Sequence, residues 1–478
     1  MNRGHRRKSG AGRVNPDATH VGIVIGARHV TVTRARVDQP NQLIRMQEAT
    51  ASFPIPRDHT LGLAQVRAGL LQCFGPRPEY EDRGCSVLLP SQVCDVRPAA
   101  GSMPIPPAWG AVEGSPSAVS RRHVLELTRR ICGTGIPQPQ VVTGIAYERF
   151  VIGSRYTMAD PIGSITTQLD AHMHLFLADY GFAKGVLDLL GDFGLVADVL
   201  ATPLSTLPAM LPQGESESDC VLVEVSHRHS GCGLFRRGVP VRLAEVAQGA
   251  DDVLAGVAGR LGIDERTVAR CLATKRDLLL DPSVYGTLVL PLGHGEGARV
   301  VRVGDVDAAV AAEAIPLVAR IQGAIEDAER DSGFHPRKAI VLGDCPVLMR
   351  ALAAAGSRLT SGRWIARDDP DWYRDPVDPT ATDRTRMAGL LKQRVLAPLP
   401  AQPFLSAYYR VAFSPDVREA FDVMQGAGRK TAVLWRAARP RVRGVCERVT
   451  RVLARIAGPA NPIRSGCTPA PAPPSASG

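Results

Sequence analysis

The side chains able to do chemistry in this chain gather at two turns and at one helix near the C-terminus. At the first turn Arg28 and His29 follow Gly26 and Ala27. At the second, His227, Arg228 and His229 follow Glu224, Val225 and Ser226 and precede Gly231. Clustered guanidinium and imidazole groups attract an anion through their field. His227, His229 and Cys232 are also metal-ligand types, but no fourth ligand stands near them. A polar turn at the end of a strand is the simpler reading, with no metal. The third locus, residues 441–457, reads RVRGVCERVTRVLARIA. Val442, Val445, Cys446, Val449, Val452, Leu453 and Ile456 fall on one helical stripe, and Arg441, Arg443, Glu447, Arg448, Arg451 and Arg455 populate the rest of the wheel. Such a helix suits the headgroup layer of an anionic membrane. The alternative is a helix docked on its own domain with solvated arginines.

These loci need elements to position them. Residues 21–37 read as a strand, a tight turn at Gly26 and a hairpin strand with alternating polarity. A helix at 61–73 and a proline-rich passage follow. A loop at 113–120 ends in a serine N-cap for a helix carrying Val124, Leu127 and Ile131. Strands are expected at 141–145, 148–152 and 166–177, a helix at 181–190 and a strand at 195–200. The run CVLVEV and the hairpin strand 232–246 then mirror the first unit. Helices at 251–262, 264–279 and 306–332, the last stopped by Gly333, lead to a strand at 338–343 and a helix at 345–356. Residues 366–386, rich in Asp, Pro and Arg, read as a loop. Two β-rich halves nearly 200 residues apart point to a duplicated α/β architecture with a cleft between the halves.

Composition narrows the function classes. Apolar residues make up 45% and charged residues 22%, ordinary values for a soluble globular chain. No apolar run approaches the roughly 18 residues of a membrane span. Ten cysteines without a C-x-x-C pair exclude a zinc ribbon or disulfide scaffold and fit a reducing cytoplasm. The net charge of +10 collects in the first 14 residues and after Arg429, so an anionic surface is expected to meet the ends. With 5% aromatics and no helix-turn-helix, zinc-finger or ribonucleoprotein motif, lipid is favoured over nucleic acid.

Several stretches in register resemble the bacterial cell-division adaptor family FtsA, from about 21 to about 362. They are VGIVIGARHVTV, RFVIGSRYTMADPIGSITTQLDAHMHLFLAD, GDFGLVADVLATPLSTLPAML and AIEDAERDSGFHPRKAIVLG. The pilus-assembly protein PilM shares the layout. The resemblance implies a two-lobed, actin-like (ribonuclease H-like, duplicated) α/β fold with an FtsA-type inserted subdomain. Its boundaries are a disordered basic arm at 1–18, the first lobe at 19–84 and 165–205, and the insertion at 85–164. The second lobe would take 206–258, a helical subdomain 259–335, and the second lobe again 336–415. A linker at 416–440, the amphipathic helix at 441–457 and a disordered tail at 458–478 complete the chain.

In that superfamily two glycine-rich hairpins hold ATP and an acidic residue manages Mg²⁺. By resemblance the nucleotide positions are Gly26, Ala27, Arg28, Glu224, Ser226, Gly231, Gly249, Gly343 and Asp344. Most are degenerate. The first loop lacks its Asp and hydroxyl residues, and three glycines of the second are Ser226, His227 and Arg228. The adenosine loop reads Gly343-Asp344-Cys345-Pro346, and the helix expected to hold the nucleoside offers Arg270 and Ala273. The resemblance therefore implies a pseudo-ATPase with no catalytic residues and no ATP or Mg²⁺ requirement. It would tether the FtsZ polymer and other division proteins to the cytoplasmic side of the membrane at the septum, and self-associate into filaments. The alternatives are a PilM-like scaffold, an active ATPase with an altered pocket, and a DNA-binding protein.

Overall fold

His20–Ile25 is β1, an apolar run buried along almost its whole length. Gly26 to Arg28 turn the chain into β2 (His29–Gln39), which pairs antiparallel with β1 and then with β3 (Gln42–Ser52). Helix α1 (Leu63–Phe74) packs over β2 and β3. Strand β4 (Gly84–Leu88) returns parallel to β1. In this computed structural model the described residues are 20–39, 42–53, 61–75, 84–107, 112, 114–135, 139–153, 156–158, 160–211, 218–278, 289–292, 299–343, 345–360, 362–367, 373–374, 386–387 and 389–391. All lie in the unit Met1–Ser406.

An inserted four-stranded antiparallel sheet follows. It comprises β5 (Cys94–Pro104), β7 (Gln140–Ile152), β8 (Tyr156–Met158) and β10 (Gln168–Asp179), in the order β5-β10-β7-β8. A two-strand clip of β6 (Ser117–Ala118) and β9 (Ile165–Thr166) leads into α2 (Arg121–Gly135). Ser120 and His123 bond reciprocally at the start of that helix: the His123 amide donates to Ser120 Oγ, and the Ser120 amide to His123 Nδ1. The expected strands 141–145 and 148–152 are one strand, because β10 pairs with Ala146 and Tyr147 between them and a bulge at Glu148 keeps the register. The insertion occupies 94–179 rather than 85–164. Strand β4 belongs to the first sheet, and β10 pairs with β5 and β7 over its full length.

Helix α3 (Tyr180–Asp192), N-capped by Asp179, and β11 (Val196–Ala201) complete the first sheet, ordered β11-β4-β1-β2-β3-β19. Helix α4 (Pro203–Met210) then crosses toward the second lobe. Thr202 caps it and Pro203 stands in its first turn, where a missing N–H costs nothing.

The second sheet repeats the first. Strands β12 (Cys220–Val225), β13 (Ser230–Arg236) and β14 (Val239–Val246) form an antiparallel meander, and β17 (Lys338–Gly343) and β18 (Arg363–Ala366) add parallel to β12. Order β14-β13-β12-β17-β18 matches β3-β2-β1-β4-β11 in sequence and in sense. Between the halves of this sheet come α5 (Ala250–Leu261), α6 (Glu265–Leu278), the hairpin of β15 (Val289–Leu292) and β16 (Arg299–Arg302), and α7 (Val303–Ser332). Helix α8 (Pro346–Leu359) packs on α7. By length and composition α7 is apolar enough to cross a membrane, which the reading of short apolar runs did not anticipate. Its Val306, Val310, Leu317, Val318, Ile321 and Ile325 instead form the centre of the second lobe's core. Each such burial contributes about 1.5–3 kcal/mol.

After β18 the chain goes back to the first lobe. Strand β19 (Tyr373–Arg374) pairs with β3, and Met387, Leu390 and Leu391 join Val24, Leu88 and Val199 in the first core. The second lobe therefore ends near 366 rather than 415, and the expected loop 366–386 contains a strand and leads into helical residues at 386–387 and 389–391. The expected arm 1–18, linker 416–440, helix 441–457 and tail 458–478 lie outside the described residues.

Candidate functional site: an interlobe cleft closed by side chains

The two hairpin turns have the same internal bond. The amide of Gly26 donates to the carbonyl of His29 at 2.9 Å, and the amide of Ser226 to that of His229 at 3.0 Å. Each turn carries an Arg-His pair at corresponding positions, Arg28-His29 and Arg228-His229. The buried His29 ring folds onto Gly26, where an added Cβ would lie 2.6 Å from the imidazole. Glycine at 26 is thus needed for an imidazole of the protein itself. The rings of His29 and His227 meet edge to face, 5.4 Å apart, across the two turns.

Helix α5 closes the second turn from below. Gly249 lets its start press against the loop, since a Cβ there would lie 2.2 Å from the Ser226 carbonyl. The amides of Ala250 and Asp251 donate to the carbonyls of Ser226 and His227. Asp251 then receives His227 Nδ1 at 3.2 Å and stands 3.9 Å from Arg28 Nη1 of the first lobe. Acidic residues suit this helix start, where the backbone dipole is positive. His229 faces Glu245 of β14 at 3.3 Å.

Glu224 is the acidic residue that the resemblance places among the nucleotide positions of the second hairpin. It is buried, and Arg386 spans both of its oxygens, with Nε donating at 2.9 Å and Nη2 at 3.3 Å. The two side chains are 4% and 8% exposed. A bidentate guanidinium saturates the carboxylate geometrically as well as electrically. Breaking a buried pair of this kind costs about 3–5 kcal/mol. Arg386 escaped the sequence reading because it stands at the end of a stretch taken as loop. The signal was there: a carboxylate inside the apolar strand CVLVEV demands a cation.

Gly231 and Gly343 are packed against the protein's own side chains. Gly231 lies in β13 under Leu204 of α4, 3.0 Å from where a Cβ would stand. Gly343 ends β17 with its open side filled by Met349 and the Val225 carbonyl, at 2.7 and 2.8 Å from a built Cβ. Asp344 and the membrane positions at 441–457 lie outside the described residues. Cys232 is buried in the second core, and burial pushes its thiol up to about 12. It shares no site with His227 and His229, whose rings turn to Asp251 and Glu245. Cys94, beside the cleft, is raised well above the usual thiol range by burial and by Glu245, with Arg386 opposing.

What remains between the turns is a cleft of about 280 Å³, counting space open to solvent. Its enclosed part is about 10 Å³, room for about one water molecule and none for a nucleotide. Gly26, Ala27 and Ser226 line it with His29, His227, Arg228, His229 and Arg386. Among the described residues no group of three or more His, Cys, Asp or Glu side chains is arranged to hold a metal ion.

No protein-family model matches the chain, and no curated protein matches it. Among solved structures it is similar to PilM in a PilM–PilN type IV pilus biogenesis complex, with 16% identity, 82% of this chain and 99% of that one covered, and a TM-score of 0.47. It is also similar to MreB 5 of Spiroplasma citri bound to AMPPNP, with 8% identity, 80% and 97% covered, and a TM-score of 0.38. A third is the ethanolamine utilization protein EutJ from Carboxydothermus hydrogenoformans, with 11% identity, 79% and 92% covered, and a TM-score of 0.36. At these identities and TM-scores the likeness assigns neither a family nor a role. The described residues form an α/β structure whose second sheet repeats the first in order and sense.

Proposed function

We propose that this chain is a nucleotide-independent adaptor of actin-like fold that joins an FtsZ-type polymer to the cytoplasmic face of an anionic membrane at the division septum. The observation that carries the nucleotide-free part is Arg386 on Glu224. The carboxylate that would have to serve Mg²⁺ is occupied by the protein, and the lobes are bridged by side chains where an ATPase needs its ligand to bridge them. With Glu224 held by Arg386, hydrolysis loses the electrostatic support of that carboxylate.

The tether rests on sequence. The Val and Arg pattern of 441–457 supports a headgroup-layer helix, and the FtsA-like order of segments supports an FtsZ partner. By that resemblance the polymer-binding face lies within 259–335, which includes α6 and all of α7.

Co-sedimentation with anionic liposomes, comparing the full chain with a truncation after Lys430, tests the tether. The adaptor reading expects only the full chain to pellet, to pellet less at high salt, and to bring FtsZ filaments with it. Equal behaviour of the two chains would move the reading to a PilM-like scaffold that grips a membrane partner.

A further inference from the structure

We propose that one end of the inserted sheet is a second lipid-contact surface, which sets Val112, Tyr156, Ile162 and Ile165 into the headgroup layer of an anionic bilayer beside Arg121 and Arg122. The proposal rests on the membrane reading above and adds a site to it. Eight large apolar side chains are exposed among the described residues, and these four are among them, at 79%, 70%, 53% and 70%. The backbone gathers them. Strand β6 pairs with β9, with Ala118 opposite Ile165. The Val119 amide donates to the Ser164 carbonyl and the Gly163 amide to the Val119 carbonyl, both at 2.8 Å. Ser164 Oγ donates to Met158 Sδ at 3.3 Å, which draws β8 to the same clip. Tyr156 of β8 pairs with Ile152 at the end of the sheet where β10 begins. The Val112 carbonyl accepts the Ser115 amide just ahead of β6.

A cluster of exposed apolar side chains marks a surface that something covers, a membrane or another protein. The charges choose lipid. Arg121 and Arg122 follow the clip directly, both are exposed, and neither makes an ion pair among the described residues. The first turn of α2 holds no acidic residue, and Glu126 further along is taken by Arg129 and Arg130. The two cations therefore add to the positive end of the helix dipole, where they disfavour the helix. An anionic surface offsets them. Asp160 is turned into its own loop, its Oδ1 accepting the Ile162 amide at 3.0 Å. The apolar side chains stand out of turns and of strands two or three residues long. A fluid layer moulds to such side chains, whereas a protein partner needs a complementary face of about 800 Å². A tyrosine among them suits the level of the headgroups. A second contact on the same bilayer raises the affinity of the whole chain above that of the helix alone.

The test is the partition of the full chain onto phosphatidylcholine vesicles with and without phosphatidylglycerol, alongside Y156S/I162S/I165S, R121Q/R122Q and Y156W. These side chains are exposed, so the thermal midpoint is expected to stay in place. The triple variant is expected to bind about tenfold more weakly. R121Q/R122Q is expected to bind about fivefold more weakly where phosphatidylglycerol is present and equally where it is absent. Y156W is expected to be quenched by acyl-brominated lipid beyond the quenching of the unaltered chain. Partition equal in both multiple variants, with no added quenching in Y156W, overturns this inference and leaves the helix tether in place. Loss of self-association without lipid in the triple variant, with vesicle binding unchanged, assigns the surface to a second copy and overturns it as well. No binding of the unaltered chain overturns both the surface and the tether.

Discussion

Glu224 and Arg386 stand 162 residues apart in the chain and form one buried pair. A buried carboxylate left alone keeps its desolvation cost without compensation, so loss of either partner is expensive. Glu224→Gln and Arg386→Gln are each expected to lower unfolding free energy by about 3–5 kcal/mol. The double replacement Glu224→Leu with Arg386→Met is expected to recover most of that loss. Urea denaturation measures all three, and single losses under about 1 kcal/mol would mean that the pair is not formed.

His174 of β10 makes a different contact between elements, meeting the Val241 carbonyl of β14 at 3.2 Å in a buried setting. Burial lowers its pKa from 6.5 to about 4. The folded protein therefore binds fewer protons here than the unfolded chain. Stability from this residue is full above pH 6.5 and is lost as pH falls toward about 4, a total of about 3 kcal/mol. His174→Gln is expected to flatten that limb of the stability curve; an unchanged limb would place the proton elsewhere.

At the scale of elements, much of the duplication was readable. The run CVLVEV, the hairpin 232–246 and the strand 338–343 correspond to β12, β13 with β14, and β17. Gly333 was readable as a stop, and it adopts φ 61° as the C-cap of α7. Its replacement by Ala puts a Cβ in the left-handed region and is expected to cost about 1 kcal/mol in thermal or urea unfolding, with no change in fold. Strands β3 and β4 were missed for a physical reason. QLIRMQEATAS has charged and amide side chains among its apolar ones, and GCSVL follows a proline-rich passage that reads as loop. The strand character of β3 comes from hairpin pairing with the adjacent β2, and that of β4 from parallel pairing with β1, far away in sequence. Of the site, the loop residues were legible as types, but their pairing was not. Nothing local tells that Asp251 reaches toward Arg28, or that Arg386 returns to Glu224.

The described residues hold two copies of one sheet order joined by α4 and by residues 386–387 and 389–391. Met387 lies against Gly22 of β1, and Gly389 against Met210 of α4, while Arg386 reaches β12. The lobes are thereby coupled by the chain itself rather than by a ligand. Thermal unfolding with Mg·ATP measures this most directly, because a ligand of the native state raises its stability by RT ln(1 + [L]/Kd). The account predicts no shift in midpoint with about 1 mM Mg·ATP, since even a Kd of about 10 μM would add about 2.7 kcal/mol. A saturable, Mg²⁺-dependent rise of several degrees that adenosine or ADP competes away would contradict it.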